Sequence, residues 1–193
     1  GGRRLGWSGL QDQGRPGAKE AIAGLRDLRV RRIAMVTGDR PAAARRVAAL
    51  IDCPEFRAGC LPQAKVDFVN EVRRGAARVA VVGDGVNDAP ALAAGDLGIA
   101  MGAAGSDVAI HSATIALMSN DLLRVPFLIR LSRRTRAIVG QNIVVGLLFI
   151  LGGIALSGAG RIPPILAALL HNAGSLIVIF NSGRLVRAGE TLK

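Results

Sequence analysis

The chain has 193 residues, half of them hydrophobic, with 25 Lys and Arg against 14 Asp and Glu. That is too apolar for a disordered chain, and with 3% aromatic residues and no Tyr it lacks a base-stacking platform for nucleic acid. Two cysteines exclude a disulfide scaffold.

The charge is unevenly placed. Residues 119–193 carry nine basic and two acidic groups, and Arg161 is the only charge between Ala137 and Gly183. A near-balanced region therefore precedes an apolar region with basic borders. The positive excess follows those borders, so no nucleic-acid partner is expected.

In chain order, Gly1 to Leu10 has no long apolar core, and no signal peptide is expected there. Ile33-Ala34-Met35-Val36 reads as a short buried strand ending in Thr37-Gly38-Asp39, followed by a helix over Pro41–Ile51. Cys53 and Cys60 lack the spacing of a metal-binding finger and are expected to be reduced thiols. Arg78–Val82 is a second apolar strand, ending in Gly83-Asp84-Gly85 before a helix near Asn87–Ala94. Leu97–Met101 and Thr114–Met118 read as further strands, and His111 as an ordinary surface or core residue. Fully apolar strands alternating with helices predict an α/β fold with a doubly wound parallel sheet, whose ligands bind beyond the carboxyl ends of the strands. Both polar clusters fall at such ends.

Those clusters have a chemistry in common. Asp84 and Asp88 are two carboxylates beside a glycine-rich backbone, a donor set that suits Mg²⁺. Thr37 offers a hydroxyl and backbone N–H groups, and Lys65 a cation, to phosphate oxygens. Either cluster taken alone would also serve as a plain turn.

Arg124, Arg130, Arg133, Arg134 and Arg136 form a basic connecting helix, whose charges meet anionic headgroups. Next come uncharged runs of 24 residues (Ala137–Gly160) and 22 residues (Ile162–Gly183). About 20 helical residues cross a bilayer, so each run suffices for a transmembrane helix; the alternative is a buried core helix pair, though soluble helices seldom reach this length without a charge. With Arg184, Arg187 and Lys193 after the second run, the arginine distribution predicts a hairpin with both termini cytoplasmic and Gly158–Arg161 outside. The expected organisation is 1–120 for the α/β region, 121–136 for the basic connector, 137–187 for the spans (about 137–157 and 163–183) and 188–193 for a tail.

Met35-Val36-Thr37-Gly38-Asp39, Leu61-Pro62-Gln63-Ala64-Lys65 and the ten-residue run Gly83-Asp84-Gly85-Val86-Asn87-Asp88-Ala89-Pro90-Ala91-Leu92 resemble the phosphorylation domain of P-type ATPases. These are members of the haloacid-dehalogenase-like superfamily. Asp12-Gln13-Gly14-Arg15-Pro16 resembles the family's hinge, with Gly14 where Pro is usual. Two spans after the domain resemble the heavy-metal-translocating class. The resemblance covers roughly Leu10 to Arg187 and implies the C-terminal part of a metal exporter in the plasma membrane. Its Asp-Lys-Thr-Gly-Thr motif with the phosphorylated Asp, its nucleotide-binding domain and its earlier helices would lie in missing upstream pump domains.

By that resemblance Asp84 holds Mg²⁺ with support from Asp88. Thr37, Gly38, Asp39, Lys65 and Asn87 handle the phosphoryl group, and ATP belongs to the whole pump. In the second span His171, Asn172 and Ser175 carry polar groups that could serve a transported transition-metal cation, or else bond between helices with Gly174 as a packing notch. Related pumps often carry an acidic residue where Asn172 stands. Gln141 and Asn142 are expected at the membrane interface. The competing readings are an inactive membrane-anchored remnant that binds Mg²⁺ and phosphate without turnover, and a phosphatase with an added hairpin. The phosphatase is disfavoured because no Asp-x-Asp precedes Thr37.

Overall fold

A computed structural model describes residues 15–75, 78–84, 87–102 and 107–190. The chain divides into two compact units, Gly1–Pro126 and Phe127–Lys193.

The first unit runs α1 (Ala18–Asp27), β1 (Ala34–Val36), α2 (Pro41–Leu50), β2 (Glu55–Arg57), α3 (Pro62–Arg74), β3 (Ala80–Gly83), α4 (Ala89–Ala94), β4 (Leu97–Met101), α5 (Asp107–Ser112) and β5 (Ile115–Leu117). Proline starts α2 and α3, where its missing N–H costs no hydrogen bond and its fixed φ suits the first turn. The residues before them, Arg40 and Leu61, are extended, as a following proline demands. Arg73 and Arg74 close α3 against its carbonyl end.

All strand pairs are parallel, and the described strands form two ladders. In the first, β1 pairs with β2 from Ala34↔Glu55 to Val36↔Arg57. In the second, β4 lies between β3 and β5, from Ala80↔Leu97 to Gly83↔Ala100 and from Ile99↔Ile115 to Met101↔Leu117. Arg32 grips Glu55 through two hydrogen bonds of 2.8 and 2.7 Å, tying the entry of β1 to β2. The central strand β4 is the most buried, with Ile99, Ala100 and Met101 at 2% exposure or less. Leu92 and Ala100 pack on one side; Ile99, Met101 and Val125 pack with Leu25, Ile115 and Leu117 on the other. Gly98 permits the first contact, since a Cβ there would lie 2.6 Å from the Leu92 carbonyl oxygen.

The expected strand at Arg78–Val82 starts two residues later, at Ala80. Val79 gives its N–H to the Asp96 carboxylate, and its carbonyl accepts from Asp96 and Leu97, so it closes a loop and does not extend the ladder.

The long helices are α6 (Arg124–Gly158) and α7 (Pro164–Glu190). The basic connector is no separate element: α6 continues unbroken through Arg136 and Ala137, with no Gly or Pro between Phe127 and Val139 to stop it. It ends where Gly160 turns left-handed (φ 67°) and Arg161 N–H reaches back to the Leu156 carbonyl. Both helices are long and apolar enough to cross a membrane. Leu148, Ile154, Ile165 and Phe180 are among the large apolar side chains that they expose. In the second unit α7 packs on α6 at Gly174, where a Cβ would meet Phe149 Cγ at 2.8 Å.

Candidate active site

The carboxyl end of β1 delivers Thr37-Gly38-Asp39. The Thr37 N–H continues the ladder to Arg57 O (2.9 Å), so it is committed to the fold and does not point at a ligand. Its hydroxyl donates to Asp39 Oδ2 at 2.7 Å while accepting from the Asp39 N–H at 3.2 Å, a side-chain turn that fixes the Oγ1 position. A second loop closes over this one: Gly59 N–H bonds Asp39 O at 2.8 Å and Cys60 N–H bonds Thr37 O at 3.0 Å. Gly38 lies under this closure, with the Cys60 carbonyl at ordinary contact distance from where a Cβ would stand.

Lys65 stands in the first turn of α3 and reaches across to α4. Its Nζ lies 2.6 Å from Asp88 Oδ1, with the two side chains 18% and 22% exposed. Asp88 is the N-cap of α4, a position where an aspartate ordinarily accepts a backbone N–H from the first turn. Here the carboxylate makes no such bond and goes to Lys65 instead. It also folds back over the strand end: a Cβ on Gly83 would meet Asp88 Cβ and Oδ2 at 2.7 Å. Asp88 thus lies against the residue that precedes Asp84.

Asp84 follows β3 directly, and its Oδ2 accepts from Arg15 Nη2 at 3.2 Å, both side chains about half exposed. Sequence spacing gave no sign of this contact, since 69 residues separate the two. Asn87 is exposed beside Asp88. Gly85 and Val86, from the same motif, and the hinge residues before Arg15 lie outside the described residues.

Among the described residues no three His, Cys, Asp or Glu side chains gather into a metal cluster. Two carboxylates are nevertheless the donor set that Mg²⁺ takes, since it keeps several waters and shares its remaining positions with phosphate oxygens. The space over Gly83, which only a glycine leaves open, is taken up by the Asp88 side chain. Both carboxylates now face cations, Arg15 and Lys65, so each site charge is balanced.

Asp96 is a further carboxylate that spacing alone left without a role, and its role is structural. It accepts the Val79 N–H at 2.9 Å and faces Arg78 and Arg73 at 3.3 and 3.5 Å. The Val79 hydrogen bond, with those two arginines, holds its carboxyl below the usual range. Cys53 and Cys60 are free thiols, with Cys53 Sγ donating to Glu55 O at 3.1 Å.

On α7, His171, Asn172 and Ser175 are all exposed, and Ser175 Oγ donates to the His171 carbonyl at 3.1 Å within the helix. Gly174 beside them is buried against Phe149. Gln141 and Asn142 bond across the hairpin to Asn181 and Ser182.

A family profile of haloacid dehalogenase-like hydrolases matches residues 5–96. The chain is 43% identical over 186 residues to a zinc-exporting P-type ATPase of Mycobacterium marinum, covering 96% of this chain and 25% of that protein. It is 42% identical over 186 residues to a manganese-exporting P-type ATPase of Mycobacterium tuberculosis, covering 96% of this chain and 26% of the relative. Among solved structures, a zinc-transporting PIB-type ATPase in the E2.Pi state superposes with a TM-score of 0.80 at 39% identity, covering 91% of this chain and 28% of that one. The chain thus spans about a quarter of the length of the curated relatives it matches.

Proposed function

The chain is homologous to the C-terminal part of the heavy-metal-translocating P-type ATPases, with their haloacid-dehalogenase-like fold, and from that premise we propose that it supplies the magnesium- and phosphate-handling loops and part of the ion path of an ATP-driven transition-metal exporter. The observation that carries this reading is the meeting of two distant loops: Lys65, from the segment after β2, on Asp88, from the loop after β3.

In this reading Asp84 and Asp88 hold Mg²⁺, which when bound neutralises charge on the transferring phosphoryl group. Lys65 adds a second cation at the same place. Asp39 keeps the Thr37 hydroxyl aimed, and that hydroxyl turns its proton from Asp39 to a phosphoryl oxygen when one arrives. Gly38 continues the same loop, and Asn87 offers an amide donor from an exposed position. None of these groups is the nucleophile. The 193 residues contain no Asp-Lys-Thr-Gly-Thr string, so the phosphorylated aspartate comes from upstream pump domains, which also bring ATP.

The strands support this division. Among the described residues β1 pairs only with β2, and β3 only with β4, so the two strands that carry the loops each keep an unpaired edge. Apolar parallel strands are normally covered, yet Val82 on β3 is 39% exposed. An additional parallel strand bearing the acceptor aspartate would complete both.

The helices α6 and α7 span the plasma membrane with their arginine-flanked ends in the cytoplasm. His171, with Asn172 and Ser175, offers nitrogen and oxygen donors to a divalent transition metal on the exposed flank of α7.

The test is phosphorylation by radiolabelled ATP, with this chain alone and with the upstream part of a related pump supplied separately. Alone, the chain should give no acid-stable phosphoprotein. With the upstream part, a hydroxylamine-sensitive label should appear on that part. Label on this chain alone would overturn the assignment.

A further inference from the structure

The arginine-flanked end of the hairpin holds a polar network that phosphoryl transfer and the His171 region leave unused. Arg184 Nη1 donates to Asn181 Oδ1 at 3.1 Å. Asn181 Nδ2 donates to Asn142 Oδ1 at 2.8 Å and to Gln141 Oε1 at 3.2 Å on the facing helix. Asn142 Nδ2 donates to Ser182 Oγ at 2.9 Å, and the Ser182 hydroxyl donates to the Val178 carbonyl at 2.9 Å.

The direction of this chain of bonds follows from chemistry. A guanidinium has donors and no acceptor, so Asn181 must turn its oxygen to Arg184 and its NH₂ to α6. Asn142 must then accept with Oδ1 and donate with Nδ2. Hydrogen bonds aligned this way polarise one another. A fixed cation, Arg184, heads the series and disfavours a second cation at the network.

It agrees in register with the other tight contact between the helices. From Asn142 to Phe149 is seven residues along α6, and from Asn181 back to Gly174 is seven along α7. Two contacts about two turns apart therefore specify one antiparallel alignment. In that alignment Ala167, Leu170, Gly174, Val178, Asn181 and Leu185 are partly or fully buried along one line of α7, while His171, Asn172 and Ser175 are exposed.

We infer that Arg184, Asn181, Asn142, Gln141 and Ser182 form a directional latch that sets the register of the α6–α7 hairpin and keeps His171, Asn172 and Ser175 out of the seam between them. These are positioning residues. The latch stands whether or not the chain serves a metal pump; only the use made of the exposed flank rests on the proposed function.

The test uses the full chain in lipid nanodiscs, with Cys53 and Cys60 replaced by serine. Cysteines at Val145 and Val178 continue the register by three residues on each helix; cysteines at Val145 and Ile179 are one residue off. The first pair should oxidise to a disulfide faster than the second. Asn142→Leu should lower that ratio at least about threefold, the scale of one interhelical hydrogen bond in a membrane. Arg184→Lys, which keeps a donor without an acceptor, should preserve the ratio, whereas Arg184→Gln, which lets the Asn181 amide turn over, should lower it. An unchanged ratio in Asn142→Leu overturns the latch, and equal ratios in Arg184→Lys and Arg184→Gln overturn its direction.

Discussion

The Lys65–Asp88 pair joins the segment after β2 to the loop after β3, and its strength can be worked out from its surroundings. Exposed ion pairs couple by about 0.2–1 kcal/mol, whereas removing one partner of a buried pair costs about 3–5 kcal/mol. With an N···O distance of 2.6 Å and side chains about one-fifth exposed, the coupling should lie between, at about 1–2 kcal/mol. A double-mutant cycle of Lys65→Met, Asp88→Asn and both together measures it, by equilibrium urea unfolding of the α/β unit within the full chain in detergent. The half-exposed Arg15–Asp84 pair is the control. Its coupling should fall below about 1 kcal/mol and vanish in high salt, while the Lys65–Asp88 coupling persists. A Lys65–Asp88 coupling within about 0.3 kcal/mol of zero, the ordinary limit of additivity, would refute the argument.

Three further outcomes follow from the same structure. Asp96→Asn should destabilise the α/β unit at neutral pH: the Val79 N–H and the nearby arginines lower the Asp96 pKa, so its contribution is present above the unfolded value near pH 4 and lost as pH falls through the lower folded one. Acid unfolding curves of wild type and Asp96→Asn should therefore converge below about pH 4, and a constant offset through pH 2–7 would contradict the assignment. Gly98→Ala drives a Cβ to 2.6 Å from the Leu92 carbonyl oxygen, and should cost about 1–3 kcal/mol in thermal unfolding; an unchanged midpoint would show that α4 is free to move off β4. Ala159→Cys should react with an impermeant maleimide on intact cells, and labelling only after lysis would reverse the hairpin.

The parts of this fold that were legible in the sequence are those written as continuous apolar runs. The apolar runs of β1, β3 and β4 announce a parallel sheet, and the charge-free stretches of α6 and α7 announce the spans. The strand β2 escaped because Glu55-Phe56-Arg57 has no apolar run; an ion pair of Glu55 with Arg32 and stacking of Arg57 on Phe68 hold it. The helix α3 escaped in the same way, since only Leu61–Lys65 carried a motif and Phe68 and Val69 are its buried residues. Within the site, the motifs located Thr37, Lys65, Asp84 and Asp88. They could not locate Arg15 on Asp84 or Lys65 on Asp88, because such contacts depend on how loops 23 to 69 residues apart are brought together. The partners of Gln141 and Asn142 were hidden for the same reason. Only the antiparallel register places them opposite Asn181 and Ser182.

The central claim is that the loop after β3 serves phosphoryl transfer through Mg²⁺, and the most direct measurement is Mg²⁺-dependent phosphoenzyme formation in a full-length related pump carrying this segment. Asp84→Asn should reduce it by about 10²–10³-fold, the usual effect of removing one preorganised charge-stabilising group, whereas Asp96→Asn, whose carboxylate serves Val79 and the arginines, should change it little. Normal Mg²⁺ dependence in Asp84→Asn would contradict the claim and leave the loop as a turn.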